Sequence, residues 1–135
     1  MLADANVYVN LGSSDVDRTV AFYEGTLGLP LVGRRELVEG RPEVLFRAGG
    51  AVICVEGGAG KPSPPKNPPF TFRVANIDAT AAALRERGIV FEEYDLPFLK
   101  TENGIAEVAG IKAAWFKDPD DYLLAIMEGQ DPAES

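Results

Sequence analysis

The chain has 135 residues, 46% hydrophobic and 25% charged, a size and composition typical of one globular domain with a buried core. Thirteen Lys and Arg against 21 Asp and Glu give a net charge of −8, which argues against binding nucleic acid because phosphates require a basic surface. The absence of histidine excludes the commonest general base, the commonest zinc ligand and every Ser-His or Cys-His nucleophile.

Targeting signals are not evident at the start of the chain. The first residues lack the basic and apolar regions of a signal peptide, and no apolar run approaches the ~20 residues that cross a bilayer. Cys54 is the only cysteine, which rules out an internal disulfide and suits a reducing compartment. We therefore expect a cytoplasmic protein that binds neither membranes nor nucleic acid.

The first half of the chain predicts a strand, a helix and three strands. "NVYVNL" (6–11) alternates and is rich in Val, which is typical of a strand. "SSDVDRTVAFYEGTLGL" (13–29) has helical periodicity, with Ser14 and Asp17 at capping-box spacing. The strands that follow are expected near 30–37, 43–48 and 51–56.

The same order begins again after a linker rich in Pro and Gly (57–69). The second half predicts a strand at 70–74, a helix at 76–88 capped by Asn76, a strand "IVFEEY" at 89–94, a loop "DLPFLKTENG" at 95–104 and a hairpin of "IKAAWFK" and "YLLAIME". An internal duplication follows from this repeat. The single domain (1–135) would hold a first module at 6–56, a second module at 70–128 and a tail at 129–135.

The acidic stretch "DPDD" (118–121) could be a metal loop or a turn. Pro fixes φ and Asp tolerates the left-handed region, so a turn between two apolar strands is favoured. A calcium loop would continue with alternating carboxylates, whereas "YLLAIM" follows here. Cys54, which lies in an apolar run without a histidine partner, is interpreted as a buried small hydrophobe. No spacing selects an acid/base pair among Glu36, Glu39, Glu43, Glu56, Glu92 and Glu93.

Strand parity separates a face that packs under helices from a second face. The second face would carry Tyr8, Asn10, Thr71, Arg73, Ala113, Trp115, Lys117, Leu123, Ala125 and Met127. If the sheets curl together, this face lines a concave cavity suited to a small molecule. The alternative is an ordinary face that is solvated or covered in a dimer. The cavity is favoured because Trp115 should not lie open to water.

Three segments carry a family resemblance: "SDVDRTVAFYEGTLGL" (14–29), "VANIDATAAALRERGIVF" (74–91) and "AAWFKDPDDYLLAIME" (113–128). Together they resemble the vicinal oxygen chelate superfamily, which includes glyoxalase I, extradiol dioxygenases, fosfomycin-resistance enzymes and bleomycin-resistance proteins. The resemblance implies an α+β fold in which two tandem βαβββ modules form a cupped eight-stranded mixed sheet with helices on its outer face. It also implies a homodimer.

Metalloenzymes of this superfamily bind a divalent ion through His and Glu side chains on four strands. Carried onto this sequence, those positions are Tyr8, Pro69, Cys54 or Ile53, and Ala125. Such residues cannot supply the usual ligand set, so no metal and no other cofactor is expected. An enzyme that retains a metal through unconventional ligands is the least favoured alternative.

The chain is then most similar to metal-free members that bind bleomycin or mitomycin. We predict a metal-independent small-molecule binding protein that sequesters an aromatic or cationic compound, with the loop around Phe98 as a lid. The predicted ligand-binding residues are Tyr8, Asn10, Cys54, Thr71, Arg73, Tyr94, Phe98, Trp115, Ala125 and Met127. The alternative is a metal-free enzyme that acts on a small carbonyl compound or a natural product. In it, Tyr8 or Glu56 would be the acid/base and Arg73 would stabilise an oxyanion.

Overall fold

The computed structural model describes residues 1–129 of the chain. These form two compact units: residues 1–64 with 119–121, and residues 65–118 with the stretch that begins at Tyr122. The elements are β1 (Val7–Gly12), α1 (Val16–Val20), β2 (Leu31–Val38), β3 (Arg41–Ala48), β4 (Ala51–Glu56), β5 (Thr71–Arg73), α2 (Ile77–Glu86), β6 (Asp95–Leu96), β7 (Leu99–Glu102), β8 (Ile105–Val108), β9 (Ile111–Lys117) and β10 (Leu123–Glu128). None of the helices in this described part is long and apolar enough to cross a membrane.

The first unit is a four-stranded sheet in the order β1-β4-β3-β2, in which β1 and β4 are parallel and the other pairs antiparallel. Helix α1 packs against β3 and β4 and continues as a π-helical turn over Ala21–Thr26. Its N-cap differs from the prediction. The side chain of Asp15, not that of Ser14, accepts the Arg18 N–H, because Ser14 is directed towards the buried carboxylate of Asp120.

The core of the first unit lies between this helix and the sheet. Tyr23 stacks on Phe46 with ring centroids 5.4 Å apart, and both are fully buried. Phe46 is directly opposite Ile53 on β4, which is also buried. The predicted apolar face of β1 is covered only at its far end, since Leu11 is buried whereas Val7 is 62% exposed.

The second unit is a six-stranded sheet in the order β5-β10-β9-β8-β7-β6, with β5 and β10 parallel. Helix α2 begins after Asn76, whose side chain accepts the Ala79 N–H at 3.0 Å. The helix contacts β9 and β10. Ala114, Phe116, Leu124 and Ile126, which strand parity places on the face under the helix, are buried, and Ala125 on the second face is buried as well.

The strand predicted at 89–94 was wrong, and the loop predicted at 95–104 contains β6 and β7. Strand β8 pairs with β9, and from residues 89–94 the Glu92 N–H donates to the Trp115 carbonyl on β9 at 2.8 Å. The turn between β7 and β8 is Asn103-Gly104, and both residues have positive φ (52° and 77°). Asn-Gly is the preferred pair for a two-residue hairpin of this kind, so the sequence does contain the signal.

The α+β class and the repeated order of strand, helix and strands are confirmed. The strand count differs: residues 1–129 contain ten strands in a four-stranded and a six-stranded sheet rather than eight. The acidic stretch is a turn, as predicted. The Asp118 carboxylate accepts the Tyr122 N–H at 2.9 Å, and Asp121 takes the left-handed conformation with φ of 69°.

Candidate functional site

Each sheet has a face opposite its helix, and in the first unit we call this the polar face. It is defined by the side chains that strand register places together: Tyr8, Asn10, Arg35, Arg41, Glu43, Leu45, Val52, Cys54 and Glu56. Asn10 is directly opposite Cys54 on the parallel strand, and Leu45 is opposite Cys54 on the antiparallel one. The register therefore places Cys54, and not Ile53, on the same face as Tyr8.

A cavity of about 410 Å³ lies in the first unit beside this face. Its lining includes Asn10, Glu43, Cys54 and Glu56. Glu43 and Glu56 face each other across β3 and β4, an arrangement in which like charges destabilise a sheet unless they are compensated. Each glutamate has its own arginine: Arg35 Nε lies 2.9 Å from Glu43 Oε1, and Arg41 Nη1 lies 3.1 Å from Glu56 Oε1.

The thiol of Cys54 is part of the same network. Its Sγ donates to Glu43 Oε2 at 3.0 Å, and burial followed by this hydrogen bond raises the pKa of Cys54 from 9.0 to about 11. The hydrogen bonds from Cys54 and Arg35 in turn lower the pKa of Glu43. At neutral pH the thiol is thus a neutral hydrogen-bond donor, because the thiolate is the reactive form and its formation is suppressed.

The corresponding face of the second unit is aromatic and apolar, and we call it the aromatic face. It is defined by Thr71, Arg73, Tyr94, Ala113, Trp115, Ala125 and Met127. Ala125 is at its centre, directly opposite Thr71 on one side and Trp115 on the other. The rings of Tyr94 and Trp115 meet edge to face, 5.5 Å apart at 83°. Burial, with a smaller effect of Glu92, raises the pKa of Tyr94.

The predicted site residues divide between these places. Three lie on the polar face (Tyr8, Asn10 and Cys54) and six on the aromatic face (Thr71, Arg73, Tyr94, Trp115, Ala125 and Met127). Phe98 lies in the turn between β6 and β7, 79% exposed, beside a cavity of about 610 Å³ that Leu96 and Val108 also line. Its role as a lid stays a prediction.

Sequence reasoning missed the partners of Cys54. Glu43 appeared only as one of six unselected glutamates, and Arg35 did not appear at all. The alternation of Glu43, Leu45 and Arg47 against Val44 and Phe46 could have assigned Glu43 to the second face. Its pairing with Cys54 could not be read, because register between strands depends on the turn that joins them.

The four positions that the resemblance assigns to metal ligands do not fit a divalent ion. The side chains of Ala125 and Pro69 offer no donor atom, Tyr8 is 47% exposed, and the Cys54 thiol donates its proton to Glu43. Across residues 1–129, no group of three or more Cys, Asp or Glu side chains is arranged to hold a metal ion. The donor set thus differs from the three or more N, O or S ligands that such ions require.

Solved structures with the same fold include a glyoxalase family protein from Enterococcus faecalis, with a TM-score of 0.72 and 23% identity over 95% of this chain and 100% of that one. Another is the fosfomycin resistance protein FosX from Listeria monocytogenes, with a TM-score of 0.72 and 18% identity over 96% and 94%.

A mutant of FosX, complexed with Mn(II) and 1S,2S-dihydroxypropylphosphonic acid, has a TM-score of 0.69 at 17% identity and covers 96% and 93% of the two chains. None of the curated proteins compared with the chain matches it. The family model of the Glyoxalase/Bleomycin resistance protein/Dioxygenase superfamily matches residues 6–126, and the chain therefore belongs to that superfamily.

Proposed function

We propose that the chain binds a small organic molecule, aromatic or cationic, without a metal ion. The observation that carries the proposal is the environment of Ala125. This residue stands where the resemblance would place a metal-binding glutamate, is 4% exposed, and lies between Thr71 and Trp115 in the register of the sheet. An apolar methyl group beside an indole favours contact with a hydrocarbon or aromatic surface rather than with a hydrated cation.

The aromatic character of the ligand is supported by the Tyr94–Trp115 pair. Trp115 is half-buried, so part of its side chain is accessible to a ligand, and aromatic contacts contribute ~0.5–1.5 kcal/mol each beyond their buried area. Met127, two residues beyond Ala125 on β10, adds a flexible apolar side chain that adapts to irregular ligand shapes.

A cationic ligand is supported by the polar face and by the net charge of −8. Glu43 and Glu56 both line the 410 Å³ cavity, and each carboxylate has about four lone-pair positions, of which their arginine and thiol partners occupy only some. An amine or amidine could use the positions that remain. The homodimer and the cytoplasmic location that the sequence predicts belong to this same proposal.

The single tryptophan makes the test direct, since all indole fluorescence comes from Trp115. We expect flat aromatic amines to quench this fluorescence and to raise the unfolding temperature of metal-free protein. Ala125→Met should lower the affinity at least about 10-fold by filling the centre of the aromatic face. Val90→Met, at a position that is 82% exposed, is the matched control and should leave affinity unchanged.

Native mass spectrometry of freshly purified protein tests whether the protein is free of metal. A stoichiometric divalent ion, together with ligand binding that is lost on chelation, would overturn metal independence. The same spectrum reports any ligand that copurifies and the number of subunits. A broad panel that produces neither a thermal shift nor a change in Trp115 fluorescence would overturn small-molecule binding itself.

A metal-free enzyme is the second candidate, and the position of Glu56 favours it. Glu56 lines the same cavity as Asn10, and Tyr8 lies on the same face opposite Val52, four positions from Glu56 along β4, so either group is a separate candidate for proton transfer. Turnover of a carbonyl compound that is lost in Tyr8→Phe or Glu56→Gln, with binding retained, would establish catalysis. Equal loss of binding and turnover would favour the first candidate.

A further inference from the structure

Thr101 on β7 is a buried polar residue that the proposed function does not yet use. Its side chain and backbone bond the segment before β6 at three points. The Tyr94 N–H donates to Thr101 Oγ1 at 2.8 Å, the Thr101 N–H donates to the Tyr94 carbonyl at 2.9 Å, and Thr101 Oγ1 donates to Glu93 Oε2 at 2.5 Å. Thr101 itself is 8% exposed.

These bonds fix the backbone on both sides of Tyr94. The hydroxyl oxygen accepts from one residue, and its single proton goes to the Glu93 carboxylate at 2.5 Å rather than to the Tyr94 carbonyl at 3.3 Å, so its donor and one of its two lone pairs are used. On the other side of the segment, the Glu92 N–H donates to the Trp115 carbonyl at 2.8 Å. Residues 92–94 are therefore held between β9 and β7, although they form no strand of their own.

The fixed backbone places the Tyr94 ring edge-on to Trp115. Thr101 pairs with Ala106 on β8, and β8 pairs with β9, so the strand that carries Thr101 is joined through the sheet to the strand that carries Trp115. The two extra strands, β6 and β7, thus connect through β8 to both partners of the ring pair. The first unit has no equivalent of this extension, because the turn after its helix leads directly into β2.

We propose that Thr101 is a positioning residue for the ligand site, which holds Tyr94 against Trp115 and thereby selects a flat aromatic ring. This inference rests on the proposed function, because it names the ligand surface that Thr101 shapes. A hydroxyl whose role was only to stabilise the β7–β8 hairpin would be replaceable by any group that restores stability. If the hydroxyl positions Tyr94, the Trp115 spectra should change in a variant that lacks the hydroxyl and stay the same in a variant that keeps it.

The test compares Thr101→Val, which keeps the shape and removes the hydroxyl, with Thr101→Ser, which keeps the hydroxyl and removes the methyl group. Thr80→Val in α2, at a half-buried position, is the matched control. Near-ultraviolet circular dichroism and Trp115 emission are measured without ligand. The affinity for ethidium, a flat aromatic cation, is then measured by its own fluorescence. Both Thr101 variants should lose about 3–6 °C of unfolding temperature, the scale of one hydrogen bond or one methyl group.

We expect Thr101→Val to change the Trp115 spectra and to weaken ethidium binding at least about 10-fold, while Thr101→Ser and Thr80→Val keep wild-type values. Unchanged Trp115 spectra in Thr101→Val would overturn the positioning role. Changed spectra with equal ethidium affinity in all variants would overturn the selection of the ring and leave the proposed function standing. If the wild type does not bind ethidium and no compound of the ligand panel changes its unfolding temperature or Trp115 fluorescence, the proposed function fails. The ligand role of Thr101 fails with it.

Discussion

The two modules place different chemistry on one backbone arrangement. Cys54 on β4 and Ala125 on β10 are equivalent: each lies between a parallel neighbour and an antiparallel neighbour in its sheet. Cys54 has Asn10 and Leu45 beside it, whereas Ala125 has Thr71 and Trp115. The polar face is a network of carboxylates, guanidinium groups and a thiol. At the centre of the aromatic face, the methyl group of Ala125 lies beside Trp115, which contacts Tyr94. The comparison teaches that the duplicated fold sets positions, and the side chains set function.

The covered faces, in contrast, are nearly the same. Phe46 opposite Ile53 and Phe116 opposite Leu124 stand at equivalent positions, and all four side chains are at most 1% exposed. Burial under a helix demands large apolar side chains at these positions, because unfilled space there costs stability. The next pair on the covered face differs between the modules, with Val44 opposite Val55 in the first and Ala114 opposite Ile126 in the second.

The largest expected effect tests this equivalence of the cores. Phe46→Ala and Phe116→Ala should each lower the free energy of unfolding by ~3–5 kcal/mol, since each removes a fully buried ring that contacts a second ring. Urea unfolding measures both. Val90→Ala, at an exposed position, is the control. A loss below ~1 kcal/mol in one module would break the comparison.

The second prediction concerns the thiol of the polar face. Because the pKa of Cys54 is raised, the rate of its alkylation by iodoacetamide should rise with pH with an inflection at about 11. At pH 8 the rate should be about 100-fold lower than that of an ordinary thiol. Mass spectrometry follows the reaction. Because the folded state holds the proton more tightly, the contribution of Cys54 to stability is complete below pH 9.0 and is lost as the pH rises towards about 11.

Glu43→Gln sharpens the same measurement. The variant removes the carboxylate that accepts the thiol proton, so the inflection should move down while staying above 9.0, because burial is the larger cause of the raised pKa. Glu36→Gln, on exposed β2, is the matched control. An inflection near 9.0 in the wild type would contradict both the burial of the thiol and its hydrogen bond to Glu43.

The third prediction compares how much the β9–β10 turn and the β3–β4 turn contribute to stability. Asp120 is 2% exposed and accepts the Ser14 N–H at 3.1 Å and the Ser14 hydroxyl at 2.5 Å. Asp120→Ala should lower the free energy of unfolding by ~1–3 kcal/mol, because hydrogen bonds to a buried charged group are lost. Gly50→Ala in the corresponding turn of the first module, where an added Cβ meets nothing within 4 Å, should be nearly neutral. Thermal unfolding of the two variants gives the difference, and equal losses would contradict it.

The smallest effect is expected at the edge of the second sheet. Lys100 lies 3.7 Å from Asp95, and both side chains are more than 70% exposed. Lys100→Ala should change the free energy of unfolding by no more than ~0.5 kcal/mol, since water screens such a pair. The Lys100–Asp95 pair would then contribute little to stability, in contrast to the buried Thr101 beside it. A loss above ~1 kcal/mol in urea unfolding would assign it a structural role instead.

Much of this fold could be read from sequence because its signals are local. The apolar run of the strand at 51–56, the Asn76 cap and the "DPDD" turn each act within a few residues and are found as expected. The misplaced strand at 89–94 had apolar alternation as well, since Ile89 and Phe91 are buried, but the strand beside β9 is β8. The Asn103-Gly104 turn joins β7 to β8 in a hairpin, and this hairpin brings β8 to the sheet.

The sequence by itself determined the superfamily, the duplicated modules and the absence of metal donors at Ala125 and Pro69, since these depend on residue identity and order. The tertiary structure decided that Cys54 rather than Ile53 lies opposite Asn10, that Glu43 accepts its proton, and that Thr101 bonds both sides of the Tyr94 peptide. Each of these depends on register between strands that are distant along the chain. Register is fixed by turn geometry and by core packing together, which no single segment contains.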